Sequence, residues 1–159
     1  MKEITAVDAA HSLFQLQEIL IECESVNRVS TFFDSGSNVN LIRESFAKRA
    51  GLKGQPVLES LYMTGGQVTE WKTKDYYIPL VDRGGKVHKV MAYSIGIITS
   101  PMEDVDLRPA LKEFPELKKD YIKIARPTGD VDFLLGIQDA HLHPYLTNQA
   151  SIARGNFVC

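Results

Sequence analysis

A core strand that ends in a carboxylate constrains this chain more than any other feature. Thr31-Phe32-Phe33 is β-branched and aromatic and reads as a buried strand; it stops at Asp34-Ser35-Gly36-Ser37, whose carboxylate, hydroxyls and glycine make a tight turn. Burying even one side of a carboxylate costs free energy unless it is hydrogen-bonded or shares a proton. Two roles compete for Asp34. It closes an Asx-turn between strands, with Ser35 and Ser37 satisfying backbone donors. Or it is half of a carboxylate pair that activates water, with Ser35 bonding the neighbouring backbone and Gly36 letting the chain pass close to its partner.

Two later stretches bear on that choice. Tyr62-Met63-Thr64-Gly65-Gly66-Gln67-Val68 reads as a hairpin tip, because Gly65-Gly66 permits positive backbone angles between the strand-like runs Val57–Met63 and Gln67–Trp71. Val131-Asp132-Phe133-Leu134-Leu135-Gly136 reads as a second buried strand that ends in glycine.

Taken in order, these three motifs resemble those of the retropepsins, the aspartic proteases of retroviruses and retrotransposons. That family carries a D-[ST]-G-[AS] loop, a glycine-rich flap and a late motif of two hydrophobic residues and a glycine. The phrases FFDSGSNVNLIRESFAKRAGL and DVDFLLGIQDAHLHP are similar to the protease domain of BEL/Pao-type LTR retrotransposons, and the resemblance spans Phe14 to Pro144.

The resemblance implies a mainly β, single-lobed, retropepsin-like acid protease fold with one or two short helices and a long insert before the last core strand. It implies Asp34, Ser35 and Gly36 as the catalytic loop. Ser37, Met63, Thr64, Gly65 and Gly66 then lie on the substrate and flap side, with Leu134, Leu135 and Gly136 supporting them. One Asp-Ser-Gly per chain implies a homodimer with one Asp34 from each subunit. The implied substrate is a Gag-Pol polyprotein inside a cytoplasmic virus-like particle, with no metal or organic cofactor. Two rivals stand beside this: a catalytically silent retropepsin-like module for dimerisation or peptide binding, and an unrelated all-β binding domain in which Asp34 is only a turn.

Length and composition narrow the field. With 159 residues, 44% of them hydrophobic and 24% charged, the chain reads as one globular domain. A net charge of −2, with no block of Lys and Arg, gives no drive toward nucleic acid or an anionic membrane. Nothing approaches the ~20 apolar residues of a membrane span. Cys23 and Cys159 have no metal-like spacing and do not read as a disulfide framework, which fits a reducing, cytosolic setting. His141 and His143 lack convincing carboxylate or Cys partners and read as surface residues rather than metal ligands.

The rest of the chain is expected to serve the acid loop. Residues 1–12 read as an arm, Leu13–Ile21 as a strand and Asn27-Arg28 as a turn. Arg43–Ala50 has helical composition: Ile42, Phe46 and Ala50 fall on one stripe, Glu44 and Lys48 pair at i, i+4, and Gly51-Leu52 reads as a left-handed cap. A flap hairpin is expected over 59–71. Tyr76–Val81 and Val87–Ile98 read as strands joined by Asp82-Arg83-Gly84-Gly85, where Asp82 is a turn residue and not a second acid loop, since Arg83 offers no hydroxyl. Prolines at 101, 109, 115 and 127 make 100–128 a surface insert, with helical turns near Ala110–Phe114 and Glu116–Tyr121. Ile137–His141 reads as a helical turn. The segment 145–159 reads as a tail or dimer strand, its apolar end suggesting a domain excised from a longer polyprotein.

Overall fold

Alternating apolar residues place long stretches of this chain in strands, and the computed structural model bears out a mainly β architecture. It describes residues 16–62, 65–102, 108–115, 129–144, 149–152 and 155–158. The expected arm over 1–12, the start of the first strand at 13–15, Met63, Thr64, the helical turn at Glu116–Tyr121 and Cys159 lie outside the described residues.

In chain order the elements are β1 (Leu16–Ile21), β2 (Arg28–Phe33), β3 (Leu41–Arg43), α1 (Glu44–Arg49), β4 (Gln55–Tyr62), β5 (Val68–Val81), β6 (Val87–Ile95), α2 (Arg108–Glu113), β7 (Phe133–Leu135), a 3-10 segment (Ile137–Leu142), β8 (Gln149–Ile152) and β9 (Gly155–Val158). The main sheet runs β1-β2-β7-β3-β6-β5-β4. Because β1 also pairs with β5 through Leu20↔Val81 and Ile21↔Leu80, six strands close on themselves and β4 lies outside the ring. Closure leaves few unpaired edges. Among the described residues, strands β8 and β9 pair only with each other, antiparallel.

Two parallel pairs sit at the centre of this mostly antiparallel sheet. β2 runs parallel to β7, with Phe33 opposite Leu135, and β3 runs parallel to β6, with Ile42 opposite Ser94. β7 and β3 join the pairs in antiparallel fashion. The short, continuously apolar β7 is buried throughout, as a central strand covered on both faces must be. Val29, Phe33, Ile42, Phe46, Ile78, Val90, Phe133 and Leu135 form the core around it.

Helix α1 follows its sequence pattern. Ile42, Phe46 and Ala50 are all buried, and Lys48 Nζ lies 3.3 Å from Glu44 Oε1. Gly51 ends the helix at φ +71°, its N–H donating to Lys48 O and the Leu52 N–H to Ala47 O, the paired bonds of a Schellman cap. Leu52 completes the cap by packing on the core.

Glu44 is also tied to β5. Lys74 Nζ approaches its Oε1 at 3.4 Å, and the Tyr76 hydroxyl donates to its Oε2 at 3.4 Å. Partial burial raises the Glu44 pKa, but hydrogen bonds from Ser94, Lys48 and Lys74 outweigh it and hold the carboxyl below its ordinary 4.5. A depressed folded-state pKa gives stability that is present above the unfolded value and lost as pH falls through the folded one. Glu44→Gln is therefore expected to cost about 0.5–1 kcal/mol at neutral pH and to flatten the decline below pH ~4.5, as read from melting temperature against pH.

Three elements depart from the sequence expectation. β5 is one strand from Val68 to Val81, where the sequence reads as two runs interrupted by Lys72-Thr73-Lys74-Asp75. The polar run stays in the sheet because only Thr73 points fully inward, and its hydroxyl donates to Ser94 O at 2.6 Å. β6 stops at Ile95 rather than Ile98, at Gly96, and Ile97 beyond it is exposed. The 3-10 segment after Gly136 is kinked at Asp139, whose backbone is not helical. The Asp82 turn is as expected: Asp82 Oδ1 accepts from the Gly84 and Lys86 amides, and Gly85 sits at φ +82°. Within the insert, α2 covers most of the expected helical turn, and Leu111 packs on the buried Phe114.

Candidate functional site

Strand β2 delivers Asp34 to the end of the core and hands it to an exposed loop. Asp34 is half-buried, while Ser35 and Gly36 are exposed. The Gly36 N–H donates to Asp34 Oδ1 at 2.9 Å and the Ser37 N–H to Asp34 O at 3.2 Å, so the carboxylate folds the turn through one oxygen. Both expected roles of Asp34 are compatible with this geometry, since the second carboxylate oxygen takes no hydrogen bond in it.

The serines divide their work differently from the sequence expectation. Ser37 bonds its own loop: its Oγ donates to Val39 O at 2.8 Å and takes the Val39 N–H at 3.3 Å. Ser35, expected to bond neighbouring backbone, makes no hydrogen bond among the described residues. Ser35 is exposed, and the turn is closed by Asp34 and Ser37.

The late glycine motif lies directly under this loop. The Asp34 N–H donates to Leu135 O at 3.0 Å, and the Ile137 N–H donates to Ser37 O at 2.8 Å. Between them, a Cβ on Gly136 would sit 2.5 Å from Val39 O and 2.7 Å from Ser37 O. Only glycine lets the two backbones approach so closely. Leu135 and Gly136 therefore lie against Asp34 and Ser37, while Leu134 pairs with Phe32 and Leu41 in the strands beside them.

Residues that the sequence reading passed over complete the brace. Asn40, 1% exposed, accepts the Gly136 N–H at 2.8 Å and donates to Met91 O and Asp139 Oδ2. An amide inside the apolar run Val39–Ile42 was the available signal, since a buried polar side chain there must be bonded. At the other end of β7, Arg43 pairs with Asp132 and Asp130, and its own N–H donates to Asp132 O at 2.8 Å. Burial lowers the Arg43 pKa, but the hydrogen bonds and charges of the two carboxylates outweigh it, so the guanidinium stays charged.

The β4–β5 hairpin covers the stretch expected as a flap. Its strands pair from Gln55↔Asp75 to Tyr62↔Val68, and the tip glycines Gly65 and Gly66 sit at φ +97° and +78°. Leu58, Tyr62 and Val68 are exposed, so the outer hairpin presents apolar side chains to solvent. At its base the Tyr93 hydroxyl donates to Glu59 Oε1 at 3.0 Å, and Trp71 packs edge-on against Tyr93. Tyr93→Phe is expected to loosen this base by about 1 kcal/mol, read as faster amide exchange along β4 with little change in global melting.

Other features are simpler. Two concavities, of about 370 Å3 beside Arg43 and Asp130 and about 310 Å3 beside Cys23 and Leu52, do not include Asp34, which is half-buried at the end of β2. Among the described residues no set of three or more His, Cys, Asp or Glu side chains is placed to hold a metal ion. His143 Nε2 lies 2.9 Å from Gly136 O, and His141 faces His88. No described helix is long and apolar enough to cross a membrane. Comparison with protein-family models, with curated proteins and with solved structures finds no match.

Proposed function

We propose that this chain is a retropepsin-like aspartic endopeptidase that acts as a homodimer, each subunit contributing one Asp34. The observation that carries the reading is the braced acid loop. A carboxylate stands at the open end of a core strand, and its loop is fixed from beneath by Leu135 O, Gly136 and Asn40. A plain Asx-turn needs no such support, whereas an acid that must meet a second acid does. The parallel β2–β7 and β3–β6 pairs and the exposed two-glycine hairpin support it further.

The mechanism follows from like charges. Two carboxylates brought together across a two-fold axis cannot both ionise cheaply, so the pair holds one proton. Aspartic proteases are the standard illustration of this arrangement. The ionised member takes a proton from water as it attacks the peptide carbonyl, while the protonated member hydrogen-bonds and protonates the carbonyl oxygen. The tetrahedral diol collapses, returning a proton to the leaving nitrogen. An extended peptide adds as a strand between the acid loop and the hairpin formed by β4 and β5, held by backbone hydrogen bonds. Hairpin closure excludes water from the reacting bond.

The substrate class proposed on this reading is a retrotransposon Gag-Pol polyprotein, processed within a cytoplasmic virus-like particle. The test is self-processing of a form extended at both ends, followed from acidic to neutral pH. Cleavage that a statine-type transition-state mimic blocks supports the reading. A folded dimer that cleaves nothing at any pH instead supports a silent module for dimerisation or peptide binding.

A further inference from the structure

We propose that Asn40 is the positioning residue of the Asp34 loop and that Asp139 helps hold its amide in the orientation the loop requires. As an account of the acid loop's geometry it stands on the structure; as an account of catalysis it rests on the protease reading. The Gly136 N–H can only donate and the Met91 carbonyl can only accept. One amide orientation satisfies both: Oδ1 accepts from Gly136 at 2.8 Å, and Nδ2 donates to Met91 O at 2.9 Å. The same Nδ2 donates to Asp139 Oδ2 at 2.7 Å, so a flipped amide would set its oxygen against a carbonyl and a carboxylate.

The position of this side chain gives it leverage. Gly136 lies between Leu135, whose carbonyl takes the Asp34 N–H, and Ile137, whose N–H reaches Ser37 O. Asn40 also takes the Tyr93 N–H on its own carbonyl, which ties the loop to β6. One buried amide thus connects the acid loop, the late glycine and the strand at the base of the flap. No other side chain among the described residues bonds the Gly136 N–H.

A charge exchange separates positioning from bulk. Asn40→Asp keeps size and shape and keeps an acceptor for Gly136, but it removes both donated bonds and sets a second carboxylate against Asp139. Adding Asp139→Asn restores a donor opposite the new carboxylate. Amide exchange of Asp34, Gly136 and Ile137, followed by NMR in the whole chain, is expected to accelerate about tenfold or more in Asn40→Asp and to recover part of its protection in the double variant, where Met91 O still lacks its donor. If the single variant does not fold, the exchange is read as folding, and the double variant is expected to restore it.

In a cleaving enzyme kcat per folded dimer follows the same pattern, with KM little changed. Unchanged exchange in Asn40→Asp, or no recovery in the double variant, overturns the proposal. Exchange that behaves as expected in a chain that cleaves nothing leaves Asn40 as the loop's positioning residue and removes the protease reading instead.

Discussion

Asp34→Asn is expected to lower peptide hydrolysis by about 10²–10⁴-fold or more while leaving the fold in place. The substitution preserves an oxygen that accepts the Gly36 N–H, the bond that closes the turn at 2.9 Å. The backbone bonds of the loop, from the Asp34 N–H to Leu135 O and from the Ser37 N–H to Asp34 O, involve no side chain. Stability is therefore expected to change by less than about 1 kcal/mol. What is lost is the capacity to share and pass a proton, which an amide lacks at any working pH. Chemical denaturation and hydrolysis of an extended peptide, measured on the same preparation, separate the two effects. A large drop in stability would return Asp34 to the role of a structural turn.

Gly136→Ala is expected to damage both stability and activity. Its Cβ would enter the 2.5–2.7 Å space before Val39 O and Ser37 O, which are backbone atoms that cannot rotate away. Relief requires the acid loop and the end of β7 to separate, which breaks the Ile137-to-Ser37 and Gly136-to-Asn40 bonds. Overpacking of this kind costs about 1–3 kcal/mol, and a loop displaced by about 1 Å costs on the order of 10²-fold in rate. Gly51→Ala is the control. No atom crowds its Cβ and its positive φ alone is strained, so it is expected to lower stability with kcat of the folded dimer unchanged.

Legibility in the sequence tracked how local the cause was. The strand into Asp34, the buried run before Gly136, the helix stripe of Ile42, Phe46 and Ala50 and its Gly51 cap each follow from residues a few positions apart. The two-glycine hairpin was equally readable, as was Asp82 as a turn. Long-range partners were not. Nothing near Lys72–Asp75 announces that Thr73 will find Ser94 and carry β5 through, and nothing near Leu20 announces pairing with Val81. Asn40 showed only as an amide in an apolar run, and its three partners lie 51 to 99 residues away. Ser35 was assigned a bond that Ser37 makes, because two neighbouring serines in one turn look alike until the backbone is placed.

The most direct test of the account mixes unmutated chain with Asp34→Asn chain at fixed total concentration and follows hydrolysis of one peptide after the subunits have exchanged. If each site is built from two Asp34 side chains, activity falls as the square of the unmutated fraction, and an equimolar mixture keeps about a quarter of it. Activity that falls in simple proportion, keeping about half, would show that one chain suffices and would contradict the shared site. Absence of hydrolysis in the unmutated protein itself, folded and dimeric, would contradict the catalytic role of Asp34.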